Sequence, residues 1–343
     1  MIKKLLPVMI GAALVAGVTN ATADVTAMGH IDTSIVYQDL DLSGVDSTTN
    51  LVCTTCSFGF KGSEDLGNGL KAIFKIDFQY DTTTRNAGGS LTDRDQWLGL
   101  GSNFGQLRIG TISTSYKSHG AMIDPVYRTS VQGRDVGLQS VLQKGAGDAG
   151  QGRATETFRY DSPTFAGFKV TGHYTMQSDN GVTDTDNPWG LGGQWKAGGF
   201  LVFADYITSD GGGDDDAYKI GGRFGFDKFA VFGQYEVDGG LISANEGLQF
   251  DPVTGAPDGN GDGGDVWFIG GTAGFGNNLI YAAYGQGDDS DAVAFDTGYD
   301  SYEIVGVHSL SKRTKAYLGY AGADPDGDDN RIDTWTLGMK HTF

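Results

Sequence analysis

The sequence predicts an all-β fold, a transmembrane antiparallel up-and-down β-barrel of sixteen strands, on three observations. Apolar and polar residues alternate with period two in segment after segment. Tight turns and long polar stretches punctuate those segments, seven of the first kind and eight of the second. Beyond residue 23 no apolar run reaches the roughly 20 residues that a membrane-crossing helix needs, so any crossing must be made by strands.

The N-terminal stretch stands apart from this pattern. Residues 1–23 carry a basic head (Lys3, Lys4), an apolar run from Leu5 to Val18 and a small-x-small ending at Ala21-Thr22-Ala23. That is the layout of a cleaved secretory signal peptide, which places the mature domain at residues 24–343 and the protein outside the cytoplasm.

Strands follow from the alternation. Phe58 and Phe60 alternate with Ser57, Gly59 and Lys61. Leu70, Ala72, Phe74, Ile76, Phe78 and Tyr80 share one face, opposite Lys71, Lys75, Asp77 and Gln79. Leu107 and Ile109 flank Arg108, and Phe158 and Tyr160 flank Arg159. Phe168, Val170, Tyr174 and Met176 alternate with Lys169, Thr171 and His173, and Trp335, Leu337, Met339 and Phe343 do so with Thr334, Thr336, Lys340 and Thr342. Successive side chains of a strand point to opposite faces, so each segment has one apolar and one polar side.

Tight turns are expected at Gly62–Gly69, Ser102–Gly105, Asp161–Gly167, Ala197–Gly199, Phe226–Lys228, Phe275–Asn278 and Ser309–Arg313. The longer connections are Asp39–Val52, Asp81–Thr92, Ile112–Gly152, Gln177–Asn187, Ser209–Asp216, Asp238–Gly264, Gly287–Gly298 and Gly322–Arg331. Short turns at one end and long loops at the other characterise outer-membrane barrels. A soluble sandwich would alternate too. Aromatic residues near strand ends, Lys, Arg and Asp on the polar face and an even strand count favour the closed barrel, which has no edge to protect.

Composition narrows the function. With a net charge of −19 the chain is a poor partner for nucleic acid, whose recognition rests on neutralising phosphates. The two cysteines, Cys53 and Cys56, are open to reading as a local disulfide, a redox site or half of a metal site. With no second pair or nearby His to complete a zinc site, a structural disulfide in a loop is the reading adopted, and it requires a turn between them. Gly145–Gly150 and Gly259–Gly264 match GxGxxG, but neither has the strand-before, helix-after context of a dinucleotide site. The acidic run from Asp324 has neither the Gly nor the Glu of a calcium-binding hand, having Asp329 and Trp335 there, and the run from Asp258 has the Gly (Gly263) but Ile269 in place of the Glu, so both read as solvated loops. No metal site or cofactor is expected. The five histidines show no catalytic spacing and no GxSxG elbow occurs, so the chain does not read as an enzyme.

Three segments then carry a family resemblance: FGFKGSEDLGNGLKAIFKIDFQ (58–79), DRDQWLGLGSNFGQLRIGT (93–111) and TFRYDSPTFAGFKVTGHY (157–174), with a terminal KHTF ending on Phe343. In these the chain resembles the general porins of Gram-negative bacteria, of the trimeric, sixteen-stranded, Neisseria-like type. The resemblance implies a homotrimer in contact with outer-membrane lipid and lipopolysaccharide. It also implies a water-filled pore for passive diffusion of ions and small hydrophilic solutes, narrowed by a third loop, about 113–153, folded inward. The length of that loop supports this independently, because long structureless connections are uncommon unless functional. On the loop side Asp124, Arg128, Arg134 and Asp135 are the expected constriction residues, with Lys144 also in the loop. On the barrel wall they are Lys61, Lys75, Arg108 and Arg159. A basic wall facing an acidic loop would set a transverse field there.

The sign of the selectivity stays open at this stage, with the charge totals tilting it slightly toward cations. Other readings are a substrate-specific sugar channel, for which Trp97 and Tyr116 are the available inward aromatics, and a calcium-dependent surface adhesin built on the acidic loops.

Overall fold

The computed structural model describes residues 23–40, 46–83, 91–143, 152–176, 187–208, 216–242, 264–289, 297–326 and 331–343. Residues 1–22 of the expected signal peptide, Lys144, both GxGxxG segments' cores and much of the acidic runs lie outside these. Ala23 already pairs with Glu64, one residue before the expected mature start.

Seventeen strands follow one another: β1 (Ala23–Leu40), β2 (Thr48–Cys53), β3 (Ser57–Gly67), β4 (Leu70–Gln79), β5 (Thr92–Ser102) and β6 (Gly105–Ser113). Then come β7 (Arg153–Asp161), β8 (Phe168–Thr175), β9 (Trp189–Ala197), β10 (Phe200–Thr208), β11 (Asp216–Phe226) and β12 (Phe229–Gly239). The last are β13 (Val266–Phe275), β14 (Asn278–Gly287), β15 (Tyr299–Ser309), β16 (Thr314–Pro325) and β17 (Ile332–Thr342). Apart from β2 and β3, neighbours in sequence pair antiparallel, and β1 pairs with β17, which closes the sheet. β2 and β3 both lie along β1, against Thr33–Gln38 and Ala23–His30, so they form one stave and the barrel has sixteen. The seam runs to the last residue, where Gly29 and Phe343 exchange backbone hydrogen bonds of 3.1 and 3.0 Å.

What splits that stave is the pair Cys53–Cys56, bridged to each other around the turn Thr54–Thr55, with Thr55 at a φ of 49°. The expected turn exists, but inside a barrel strand rather than in a loop. One expected tight turn is also shorter than its sequence indicates: β3 continues through Gly62 to Gly67, and only Asn68 and Gly69 remain to reverse the chain.

The outer surface carries the large apolar side chains that a soluble fold would bury. Leu98 is 64% exposed and Ile220 60%, whereas the inward Asp32, Glu236 and Ser301 are fully covered. Hydrocarbon contact makes the first set favourable and barrel closure satisfies the backbone. Aromatic side chains stack near both ends. Phe200, Phe224, Phe226 and Phe229 form a ladder beside the short turns, while Trp189–Tyr206, Trp267–Tyr284 and Tyr320–Trp335 sit nearer the long loops. Such girdles mark the two interfaces of a membrane barrel.

Three register shifts interrupt the pleat, between β3 and β4, β4 and β5, and β6 and β7. A bulge sets two residues opposite one and re-aims side chains. Gly110 shows why a side chain is excluded beside one of them: its φ is 139° and an added Cβ would lie 2.3 Å from the Gln96 carbonyl oxygen.

Candidate functional site: the constriction

The long connection between β6 and β7 enters the barrel. It begins with a short helix, α1 (Ser115–Gly120), a local departure from the otherwise uniform strand pattern, capped by the Thr114 hydroxyl accepting from the Lys117 N–H at 3.3 Å. Its apolar side chains Ile123, Val126, Val131 and Leu138 pack on inward residues of β10–β16, among them Phe203, Phe232, Phe268, Tyr281 and Val305. The interior of this arc is therefore a dry core. Sequence alternation assigns a uniformly polar lining to the interior; the structure corrects this for the arc that the loop covers.

Polar anchors complete the attachment. Glu236 on β12 accepts from the Tyr116 hydroxyl (2.7 Å), the Ser140 N–H and hydroxyl (3.0 and 2.7 Å) and Gln143 Nε2 (2.9 Å). Burial pushes the Tyr116 phenol well up, and Glu236 adds to it. His119 Nδ1 lies 2.9 Å from Asp205 Oδ2. Ser130 joins Ser34 (3.0 Å) and Thr336 (2.7 Å), and Lys340 Nζ donates to the Tyr127 carbonyl at 2.6 Å. The loop thus clings to the wall from β9 round to β1, and the passage is left against β2–β8.

That facing wall is basic, with its own acids set among the cations. Asp95 accepts from Lys75 Nζ (2.8 Å), from Arg153 Nε (3.1 Å) and from Ser113. Asp161 holds Arg108, Arg159 (3.0 Å) and Lys169 (3.0 Å). Asp77 pairs with Arg94 at 3.3 Å and Lys75 at 3.5 Å. Among the described residues, three carboxylates in these ion pairs therefore stand against six cations: Lys75, Arg94, Arg108, Arg153, Arg159 and Lys169. Lys61 is the register partner of Lys75 and is exposed on the same inner face.

On the loop side, Arg128 and Arg134 flank Tyr127, with guanidinium carbons 5.5 and 4.9 Å from its ring centre. Burial alone would raise the Tyr127 phenol, but Arg134 and Arg128 hold it below the ordinary value. Lys117 on α1 is pushed well down, by burial first and then by Arg153, Arg134 and Arg94.

The loop's acids do not present the acidic face that the sequence suggests. Asp124 is buried and accepts from the Val126 and Gly133 N–H groups at 2.9 and 3.1 Å, so it shapes the loop. Burial pushes its carboxyl up to about 6 in spite of those bonds. Asp135 accepts from Gln132 Nε2 at 2.5 Å. Nor do the two aromatics form a sugar slide: Trp97 lies beneath Arg108, 5.1 Å from its guanidinium carbon, and Tyr116 is completely buried.

Several residues at this site are absent from the sequence reading. Strict alternation places Arg94 on the lipid face, because Leu98 and Leu100 point outward. The β4–β5 bulge turns both Arg94 and Asp95 inward. Arg153 closes the loop beside a second shift, where Glu156 has a φ of 46°. The one signal for Arg94 is a charge cluster, Asp93-Arg94-Asp95, that no lipid-facing strand would carry.

Comparison with known proteins agrees with this architecture. The Gram-negative porin family profile matches residues 9–339. The major outer membrane protein P.IB of Neisseria gonorrhoeae is 28% identical over 329 residues, covering 89% of this chain and 91% of that protein. Among solved structures, an anion-selective porin from Comamonas acidovorans superposes with a TM-score of 0.74 at 22% identity, covering 94% of this chain and all of that one. OmpT of Vibrio cholerae in its trimer form gives 0.64 at 14% identity, covering 94% of this chain and 100% of that one. With the profile spanning nearly the whole sequence of a closed sixteen-stave barrel, the chain belongs to the Gram-negative porin family and is a general diffusion channel of the outer membrane.

Proposed function

We propose that this channel passes ions and small hydrophilic solutes passively, prefers anions, and works as a homotrimer embedded in outer-membrane lipid and lipopolysaccharide. The constriction is assigned to Lys61, Lys75, Arg94, Arg108, Arg153 and Arg159 on the wall and to Arg128 and Arg134 on the loop. One observation carries the preference: the twofold excess of cations over carboxylates on the wall that the passage follows. Low-dielectric walls focus that field on whatever crosses. The acidic outer loops dominate the net charge of −19, but charges beyond a Debye length of about 8 Å are screened at physiological salt. Local charge therefore outweighs the total, which reverses the slight tilt toward cations. The anion-selective porin of Comamonas acidovorans and the trimer form of the Vibrio protein, both of this fold, point the same way.

Reversal potentials across a planar bilayer in a potassium chloride gradient test the preference. A potential of anion sign is expected, and one of cation sign overturns it. Conductance appearing in groups of three equal steps is expected of the trimer.

A further inference from the structure

The geometry points to a binding site for small organic anions with an apolar body, on the short-turn side of the constriction loop. It rests on the channel reading and adds a place where a permeating solute is held. A cavity of about 290 Å³ lies between the inner wall of β15–β17 and the loop segment 125–129. That is the lower end of the size range of ligand pockets, suited to a solute of a few heavy atoms.

The lining has two chemistries. Four cations converge on it: Lys312 and Arg313 from the turn between β15 and β16, Lys315 from β16 and Lys340 from β17. Among the described residues no carboxylate lines the cavity. Among the described residues, Lys312, Arg313 and Lys315 form no ion pair. Lys340 is committed to the Tyr127 carbonyl and so fixes the loop as the roof. Asp32, the register partner of Lys340, accepts from the Tyr317 hydroxyl at 2.8 Å and, with Asp124, acts on the Lys340 charge, which leaves the other three cations as the unpaired ones. The opposite side is carbon: Pro125, Val126 and Val307, with the rings of Tyr127 and Tyr317.

A carboxylate entering the cavity meets Lys312, Arg313 and Lys315, none of them ion-paired among the described residues, beside the half-buried Lys340. A hydrocarbon or aromatic body attached to it covers the apolar side and gains burial energy. An inorganic oxyanion gains only the first. The site thus distinguishes organic acids from phosphate, which a plain basic surface does not. It also lies where a solute that has cleared the loop meets the turn end, so flux of such acids saturates at the exit.

Benzoate is the probe. In planar bilayers, benzoate on the short-turn side should lower the chloride conductance saturably, and less so from the other side. Inorganic phosphate at matched charge concentration should leave conductance close to its starting value. The double variant Arg313→Gln/Lys315→Gln should raise the half-blocking concentration by about ten-fold, the equivalent of 1.4 kcal/mol. Lys312→Gln, in an exposed turn where folding is not at stake, should raise it by a smaller factor. Equal block by phosphate and benzoate, or block unchanged in both variants, overturns the site. Steady conductance without any benzoate block overturns the site and leaves the channel reading intact, whereas absent conductance overturns the channel reading itself.

Discussion

Tyr116 and Glu236, 120 residues apart in sequence, meet in a buried 2.7 Å hydrogen bond that ties the helix of the constriction loop to the barrel wall. The same carboxylate takes the Ser140 N–H and hydroxyl and Gln143, so one side chain holds two ends of the inward segment. Glu236→Ala leaves these donors unpaired in a dry site, at a cost of roughly 2–4 kcal/mol. The expected outcome is a larger, noisier single-channel conductance and a lower melting temperature in detergent. Unchanged conductance would show that the apolar contacts alone hold the loop.

Charge at the wall should govern selectivity more than charge in the outer loops. Arg94→Gln combined with Arg153→Gln removes two of the six wall cations and leaves Asp77 and Asp95 to share Lys75 alone. The reversal potential should move toward cations by several-fold in permeability ratio. Neutralising Asp324 and Asp326 at the outer end of β16 should move it far less, because of screening. The two reversal potentials, measured in the same gradient, check this.

Asp124 gives the loop a pH dependence of defined sign. Its carboxyl sits at about 6 in the folded protein against an ordinary 3.8, so folding favours the protonated form. The stabilisation is complete below about pH 4 and is lost as the pH rises through 6. Two pKa units correspond to roughly 3 kcal/mol. Protection factors of the loop amides, taken relative to the base-catalysed intrinsic exchange rate at each pH, should rise on acidification across this window, and Asp124→Asn should flatten the dependence.

The bridge between Cys53 and Cys56 closes a very short loop, so its removal should be tolerated. Chain-entropy arguments give about 2 kcal/mol for a loop of this size. Cys53→Ser/Cys56→Ser should still form a conducting barrel, with a slightly lower melting temperature. Failure to assemble would show that the turn itself must be pinned before the stave can pair.

How much of this was legible in sequence depended on what lay behind each strand. The segments in which period two stands out, around Phe58, Phe74, Ile109, Tyr160, Val170 and Leu337, lie in β3, β4, β6, β7, β8 and β17. Wet or hydrogen-bonded polar side chains back most of them. In β10, β12 and β13 the inward Phe203, Phe232 and Phe268 touch the loop while Val202, Val231 and Ile269 touch lipid, so apolar residues occupy both faces and alternation fades. Turns survived this because Gly and Asn mark them whatever the strand faces. The site was only half visible: Lys75, Arg108 and Arg159 follow from parity, but Arg94 and Arg153 sit beside bulges, where parity fails. The role of Asp124 was unreadable, since it depends on which way the loop turns its back.

The loop's dry contact divides the cylinder into two arcs with opposite rules for sequence drift. Where the loop packs on β10–β16, at Phe203, Phe232, Phe268 and Tyr281, neither surface of the wall meets solvent, so a new charge there is penalised whichever way it points. Along β2–β8 only the outward half of the positions is so constrained, and the inward half is open to exchange among hydrophilic side chains. Divergence among relatives that alters what the pore admits has most room in that second arc.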